Sequence, residues 1–211
     1  MSKLHGEAYL DYYRNVRKWD PHVKGRWQQN YAEMIETAFG LAAHGRRVLD
    51  LGCAGGSQAS AMRDAGIDVW GVEPEEVFVA RSPFENMRAR MLLGDARVIP
   101  FRDWWFDFVH CSQVLEHLRA AEMHVALAEI RRVLRPGGTL FASMPMGCPS
   151  DYPNDDVTHE TIVPRAQWIE WLLEAGFLVD ADPFAALEDT AMYQLYRWHY
   201  VLASTPTEES A

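Results

Sequence analysis

Thiols are scarce in this chain of 211 residues: Cys53, Cys111 and Cys148 are all it has. An odd count with no CxxC spacing excludes a disulfide framework and a zinc knuckle, so reduced and mostly buried thiols are expected. Long apolar runs are missing as well. None approaches the roughly 18 residues that a membrane helix needs, and MSKLHGEAYLDYYRN has no signal-peptide apolar core. The expectation is a cytoplasmic protein without a membrane partner. A basic surplus is also absent, since the formal net charge is −10. Phosphate neutralisation supplies most of the affinity of a duplex binder, so nucleic acid is not an expected partner. No internal repeat or low-complexity tract occurs.

The composition that remains, 48% hydrophobic and 24% charged, suits one sizeable globular domain. Charge is uneven. Residues 1–50 hold eight Lys/Arg against six Asp/Glu, and the rest hold twelve against twenty-four. The basic residues Arg14, Arg17, Lys18, Lys24 and Arg26 read either as a solvated helix face or as a patch meeting an anionic substrate.

Residues 5–43 lack strand-like alternation and read as two helices broken at Asp20-Pro21. Strands then alternate with helices. Strands are expected at 46–51, 68–73, 91–94, 106–111 and 139–145, and helices near 56–65, 75–82, 120–134 and 165–175. Such alternation argues for a mostly parallel sheet with right-handed crossovers. Two further strand-like runs, 177–184 and 191–203, have no helix between them and are expected to pair antiparallel. The fold class is therefore α/β, doubly wound, with a mostly parallel seven-stranded sheet, a final antiparallel strand pair and an N-terminal helical lid. Residues 1–45 are assigned to the lid, 46–204 to the main body and 205–211 to a polar tail that frays. Leu172, Leu173 and Phe177 read as a core stripe. Arg135-Pro136-Gly137-Gly138 reads as a helix stop and turn.

The stretch RRVLDLGCAGGSQASAMRDAG carries the most information. An apolar strand is interrupted only by Asp50, and Gly52, Gly55 and Gly56 precede a helix. Glycines let a ligand approach the backbone, and the helix start offers N–H groups. A second acid, Glu73, ends the next strand 23 residues later, where ribose hydroxyls would meet it. The spacing is not G-x-G-x-x-G, which disfavours a nicotinamide-dependent oxidoreductase. Asp50 beside the turn would repel a pyrophosphate but suit an ammonium group, which points to adenosine joined to an amino acid.

VLDLGCAGG, GVEP, GDARVIPF, FDFVHCSQVLEHL, EIRRVLRPGGTLFASMP and WLLEAGF follow in that order. Together they resemble a class I, Rossmann-like S-adenosylmethionine-dependent methyltransferase, of the small-molecule and quinone-biosynthesis-like group. The resemblance covers about residues 46–178. Its usual D/E-x-G-x-G-x-G turn reads here Asp50, Gly52, Ala54, Gly56, with Ala54 in place of the middle glycine. The resemblance implies S-adenosylmethionine as cofactor. Asp50, Gly52, Cys53, Ala54 and Gly56 would face its methionine part. Glu73 and Pro74 would face the ribose, and Gly94, Asp95 and Ala96 the adenine. Ser112, Gln113 and Val114 would line the methionine end.

Methyl transfer to a hydroxyl benefits from a base. His159 and His117 are the catalytic candidates, as base or substrate ligand, against an architectural role. Tyr12, Tyr13 and Trp27 are candidates for an apolar substrate pocket. Asp155, Asp156, His159, Glu116 and His117 have metal-ligand chemistry, but no tight ligand spacing, and no metal is expected. The leading reading is transfer of a methyl group to a small-molecule acceptor, at oxygen or nitrogen, with carbon kept open. The alternatives are methylation of RNA or a protein side chain, and a non-catalytic cofactor-binding subunit. Self-association stays open.

Overall fold

The computed structural model describes residues 4–15, 20, 22–147, 156–180 and 200–207, without the side chains of residues 13, 27, 34 and 200. Its contacts divide the chain into two compact units, Met1–Asp95 and Ala96–Ala211.

The first unit begins with α1 (Gly6–Asn15) and α2 (Arg26–Phe39), followed by β1 (Arg47–Leu51), α3 (Ser57–Asp64), β2 (Asp68–Glu73), α4 (Glu76–Ala80) and β3 (Met91–Leu93). Its strands lie in the order β3-β2-β1, all parallel. Val48, Leu49 and Leu51 are all buried, although neighbours on a strand point to opposite faces. Both faces of β1 are therefore covered, as a parallel strand requires. Tyr9 of α1 stacks on Phe78 of α4, ring centroids 5.6 Å apart. Two of the basic residues near the start are spent on structure. Arg14 donates to Asp20 at 2.8 Å, and Lys24 donates to Ser60 Oγ at 3.0 Å and pairs with Asp64. For these two the solvated-face reading gives way to a bracing one. Arg17 and Lys18 lie outside the described residues.

The second unit holds β4 (Phe106–Ser112), α5 (Met123–Val133), β5 (Leu134–Ser143), α6 (Arg165–Glu174), β6 (Leu178–Val179) and β7 (Tyr200–Ser204). Its strand order is β4-β5-β7-β6. β4 and β5 are parallel, and β7 runs antiparallel to both β5 and β6. The seven strands thus reproduce the expected mostly parallel pattern with its antiparallel end pair. Helix α5 buries Met123, Ala126, Leu127, Ile130 and Val133, the i, i+3, i+4, i+7 stripe of an amphipathic helix.

Three local expectations need correction. β5 starts at Leu134, so Arg135–Gly138 lies inside a strand with a register shift opposite Phe106–Phe108, rather than in a turn before it. Gly137, at φ +73°, supplies the irregular backbone that lets the strand resume after the shift. Residues 204–206 do not fray. Thr205 is buried, its N–H donates to the Gly138 carbonyl at 2.9 Å, and its hydroxyl donates to the Arg135 carbonyl at 2.6 Å. Leu173 is 55% exposed beside buried Leu172, because successive helical residues point about 100° apart. Of the expected strand 177–184, residues 177–180 are described, and β6 covers Leu178–Val179 of these. Residues 181–199 lie outside the described ones, as do Cys148 and Asp155.

Candidate functional site

The glycine turn in the first unit is fastened to β2. The amides of Gly52 and Cys53 both donate to the Val72 carbonyl, at 2.8 and 3.1 Å, and the Gly56 amide donates to the Cys53 carbonyl at 2.8 Å. Gly52, Ala54 and Gly56 have φ of +73°, +47° and +85°. The alternate positions of the family's glycine pattern are thus the left-handed ones. Ala54 takes the conformation the absent glycine would have, at a cost of roughly 1–2 kcal/mol. Its N–H is held by the Glu73 carboxylate at 2.9 Å, which offsets that cost. Side chains crowd Gly56 in the turn and Gly71 on β2. A Cβ on Gly56 would meet Met91 Sδ at 2.7 Å, and one on Gly71 would meet Cys53 Sγ at 2.6 Å.

Glu73 is 5% exposed. Its two oxygens accept from the amides of Ala54 and Glu75, at 2.9 and 3.0 Å. A carboxylate has about four lone-pair sites, so each oxygen keeps capacity for one more donor. Burial pushes its pKa up to about 7 against those two amides, and the Glu75 and Asp50 charges add to the rise. A vicinal diol donating to both oxygens would supply what this desolvated group lacks. Asp50, 3% exposed, sits on β1 opposite Gly71 in register. Burial raises the Cys53 thiol well above its ordinary range, helped by the Asp50 and Glu73 carboxylates. Cys53 is therefore a neutral packing group. Pro74 is exposed, and the Glu75 carboxylate after it caps the start of α1 by accepting from the Gly6 amide at 2.7 Å. The Gly94 amide donates to the Glu73 carbonyl at 3.1 Å, which sets half-buried Asp95 just past β3. This donor and acceptor set fits an adenosyl amino acid. Tyr12 lies half-buried on α1; the side chains of Tyr13 and Trp27 lie outside the described set.

In the second unit the chain leaves β4 through Gln113, a non-glycine residue at φ +57° whose amide donates to the Ser143 carbonyl at 2.7 Å. Such backbone is costly and persists where the surroundings enforce it. Ser112 and Ser143 share a hydroxyl hydrogen bond of 2.7 Å. Val114 then opens a one-turn 3-10 segment, Leu115–His117. Ala96, the first residue of this unit, is buried.

The two histidines, 42 positions apart in the chain, meet edge to face with ring centroids 4.9 Å apart. Backbone bonds bring them together. The amides of Glu160 and Thr161 donate to the Glu116 carbonyl at 2.8 and 3.0 Å, and the Thr161 hydroxyl donates to the Leu118 carbonyl at 2.7 Å. A relay orients His117. The Thr158 hydroxyl donates to Asp156 at 2.6 Å, so its oxygen accepts from His117 Nδ1 at 3.0 Å. The Thr158 carbonyl, an acceptor only, lies 3.3 Å from the same nitrogen. Nδ1 therefore carries the proton and Nε2 the lone pair in the neutral ring. Burial opposes charge on Asp156, but two bonds from Thr158 and the nearby histidines hold its pKa below the ordinary value. Glu116 is fully buried, and its Oε1 lies 3.8 Å from His159 Nε2, whose side chain is 7% exposed. Sequence reasoning overlooked Thr158. Asp156-Val157-Thr158 is an Asx-type turn signal, but only the fold shows that it points at His117.

Comparison with known proteins agrees with this geometry. A family described as "Methyltransferase domain" matches residues 49–142. A probable S-adenosylmethionine-dependent methyltransferase of Mycolicibacterium smegmatis is 31% identical, over 75% of this chain and 63% of its own. A demethylmenaquinone methyltransferase of Renibacterium salmoninarum is 30% identical, over 71% of this chain and 56% of its own. The chain spans about half the length of the first curated relatives it matches. A crystal structure from Pyrococcus horikoshii shares the fold, with TM-score 0.66, 21% identity, and coverage of 93% of this chain and 99% of the other. Among the described residues no helix is long and apolar enough to cross a membrane. The left-handed turn, the strand-end acid bound to it and these likenesses lead to one conclusion: residues 49–142 match a methyltransferase domain, and the chain is similar to S-adenosylmethionine-dependent methyltransferases.

Proposed function

We propose that the chain moves a methyl group from S-adenosylmethionine to a small-molecule acceptor. The observation that carries this reading is the Glu73–Ala54 bond, which ties a buried strand-end carboxylate to the tip of the glycine turn. When bound, S-adenosylmethionine supplies an electrophilic methyl group on a sulfonium. In this reading Glu73 and Pro74 hold the ribose, and Gly94, Asp95 and Ala96 the adenine. Asp50 faces the ammonium group, with the backbone of Gly52, Cys53, Ala54 and Gly56 around the amino-acid tail. Ser112, Gln113 and Val114 belong to the methionine end. The rest is alignment of the attacking atom in line with the departing sulfur, in a dry enclosure.

An oxygen acceptor must lose a proton, and the structure supports two groups for that duty. His117 presents a lone-pair nitrogen whose tautomer is set by the Thr158–Asp156 relay, and His159 lies against it. These histidines favour a hydroxyl acceptor over an amine, which needs little help from a base. Residues 1–45, with Tyr12, Tyr13 and Trp27, are assigned to the lid and acceptor pocket. The cytoplasm is the proposed location, and methylation of RNA is disfavoured by the net charge of −10.

Calorimetric titration with S-adenosylhomocysteine tests the cofactor half. Saturable one-to-one binding that Glu73→Ala abolishes is expected, and no heat with the wild-type chain refutes the reading. Methyl counting with labelled cofactor on phenol, alcohol and amine panels tests the acceptor half. Transfer confined to RNA or protein would replace the small-molecule assignment.

A further inference from the structure

The cluster beyond β4 has a composition that proton transfer alone does not explain. Glu116 places a carboxylate in the interior with no exposure, and two imidazoles are packed beside it. One ligand atom from each of Glu116, His117 and His159 falls within 4.8 Å of the other two. A four-coordinate divalent ion, with metal–ligand bonds near 2.0–2.2 Å, has its ligand atoms about 3.4 Å apart. The side chains therefore need to close by up to about 1.4 Å, which is within rotamer adjustment for a glutamate and a histidine.

We propose that Glu116, His117 and His159 form a binding site for one divalent transition-metal ion of the zinc class. Two imidazoles and a carboxylate favour such ions over Mg²⁺ and Ca²⁺, which take oxygen ligands almost exclusively. The support around the ligands matches that of a metal centre. Metal-binding histidines donate their second nitrogen to a carbonyl or a carboxylate-linked acceptor, which fixes the ring and leaves the other nitrogen to the ion. His117 has this arrangement, with Nδ1 engaged by Thr158 and, through its hydroxyl, by ionised Asp156. Asp156 also adds negative charge near both imidazoles. The expectation of no metal came from sequence spacing, in which Glu116-His117 and His159 look unrelated. The backbone bonds from Glu160 and Thr161 to Glu116 remove that objection.

Three protein ligands leave at least one coordination position open, as in catalytic rather than structural sites. An acceptor oxygen bound there would ionise near neutral pH, with its proton passing to solvent; it would then bond to the methyl carbon as the methyl–sulfur bond breaks and S-adenosylhomocysteine leaves. The ion would then take the place of a histidine base. This role rests on the methyl-transfer reading; the site itself does not.

The test uses the full chain and the metal alone. Equilibrium dialysis against ZnCl₂ at about 100 µM is followed by elemental analysis, with Co²⁺ as a spectroscopic probe. One ion per chain is expected. Co²⁺ should give visible bands of nitrogen and oxygen ligation without the intense near-ultraviolet band of thiolate. His159→Ala and Glu116→Gln should each weaken binding about tenfold or more. Should Glu116→Gln fail to fold, as judged by circular dichroism, the His159→Ala and Co²⁺ results decide the matter. Less than a tenth of an ion per chain, unaltered binding in His159→Ala, or a thiolate spectrum overturns the proposal. S-adenosylhomocysteine calorimetry on the same preparation keeps the two claims apart. Metal without cofactor binding sinks the methyl-transfer reading alone, and cofactor without metal sinks this one alone.

Discussion

Lowering the pH from 8 to 5.5 should expose the role of Glu73. In the cofactor-free protein its pKa is raised from 4.5 to about 7, chiefly by burial. Two ribose hydroxyls donating to its oxygens would stabilise the ionised form and return the pKa toward its ordinary range. Binding then requires the carboxylate. Below pH 7 each unit weakens cofactor affinity about tenfold, to a limit near 300-fold once the full shift of about 2.5 units is spent. Proton release gives a second measure. At pH 6.5 about three quarters of a proton should leave on binding, because the free group is mostly protonated and the bound group is not.

The assay is titration calorimetry with S-adenosylhomocysteine, in buffers of different ionisation enthalpy, on wild type and Glu73→Gln. The variant should bind about 10- to 100-fold more weakly at pH 8, the loss of a charged hydrogen-bond acceptor, and show little change with pH. The stability sign runs the other way. With its folded pKa above its unfolded one, ionised Glu73 destabilises the free protein. Its contribution is most favourable below pH 4.5 and is lost as pH rises through 7, by roughly 3 kcal/mol in all. The difference in unfolding free energy between wild type and Glu73→Gln should follow that curve. Affinity that is level from pH 8 to 5.5, or equal proton release in both proteins, refutes the argument.

Other outcomes follow from packing and bonding. Gly71→Ala drives a methyl into Cys53 Sγ and should cost about 1–3 kcal/mol, read as a fall in Tm of several degrees; adding Cys53→Ala should restore most of it. Arg132 donates to the carbonyls of Ile99 and Phe101 and to Glu129 and Asp103, at 2.7–3.0 Å, so Arg132→Lys loses the planar fork and should destabilise by about 1–3 kcal/mol in chemical denaturation. Thr158→Val breaks the relay to His117 and should lower kcat of methyl transfer about tenfold while leaving S-adenosylhomocysteine affinity unchanged, and Thr158→Ser should recover activity.

The order of elements, the glycine turn and the place of Glu73 at the end of β2 were legible in the sequence. All depend on chemistry within a few residues: apolar runs for β1 and β2, glycine where the backbone turns left-handed, an acid at a strand end. Ala54 departs from the glycine pattern in residue type, and its φ of +47° keeps that pattern in backbone form. Other features needed the fold. Arg135–Gly138 resembles a turn in isolation, but Thr205, 67 or more positions away, supplies the bonds that hold it in β5. The histidine cluster is the clearest case. Nothing local to Glu116-His117 or to His159 announces the other, because two backbone bonds across more than 40 residues set their distance. Periodicity and turn chemistry are local and can be read along the chain. Which carboxylate is buried, which imidazole nitrogen keeps its lone pair and which ligands converge are settled only when distant segments pack, since burial and hydrogen-bond pairing belong to the folded neighbourhood and not to the residue.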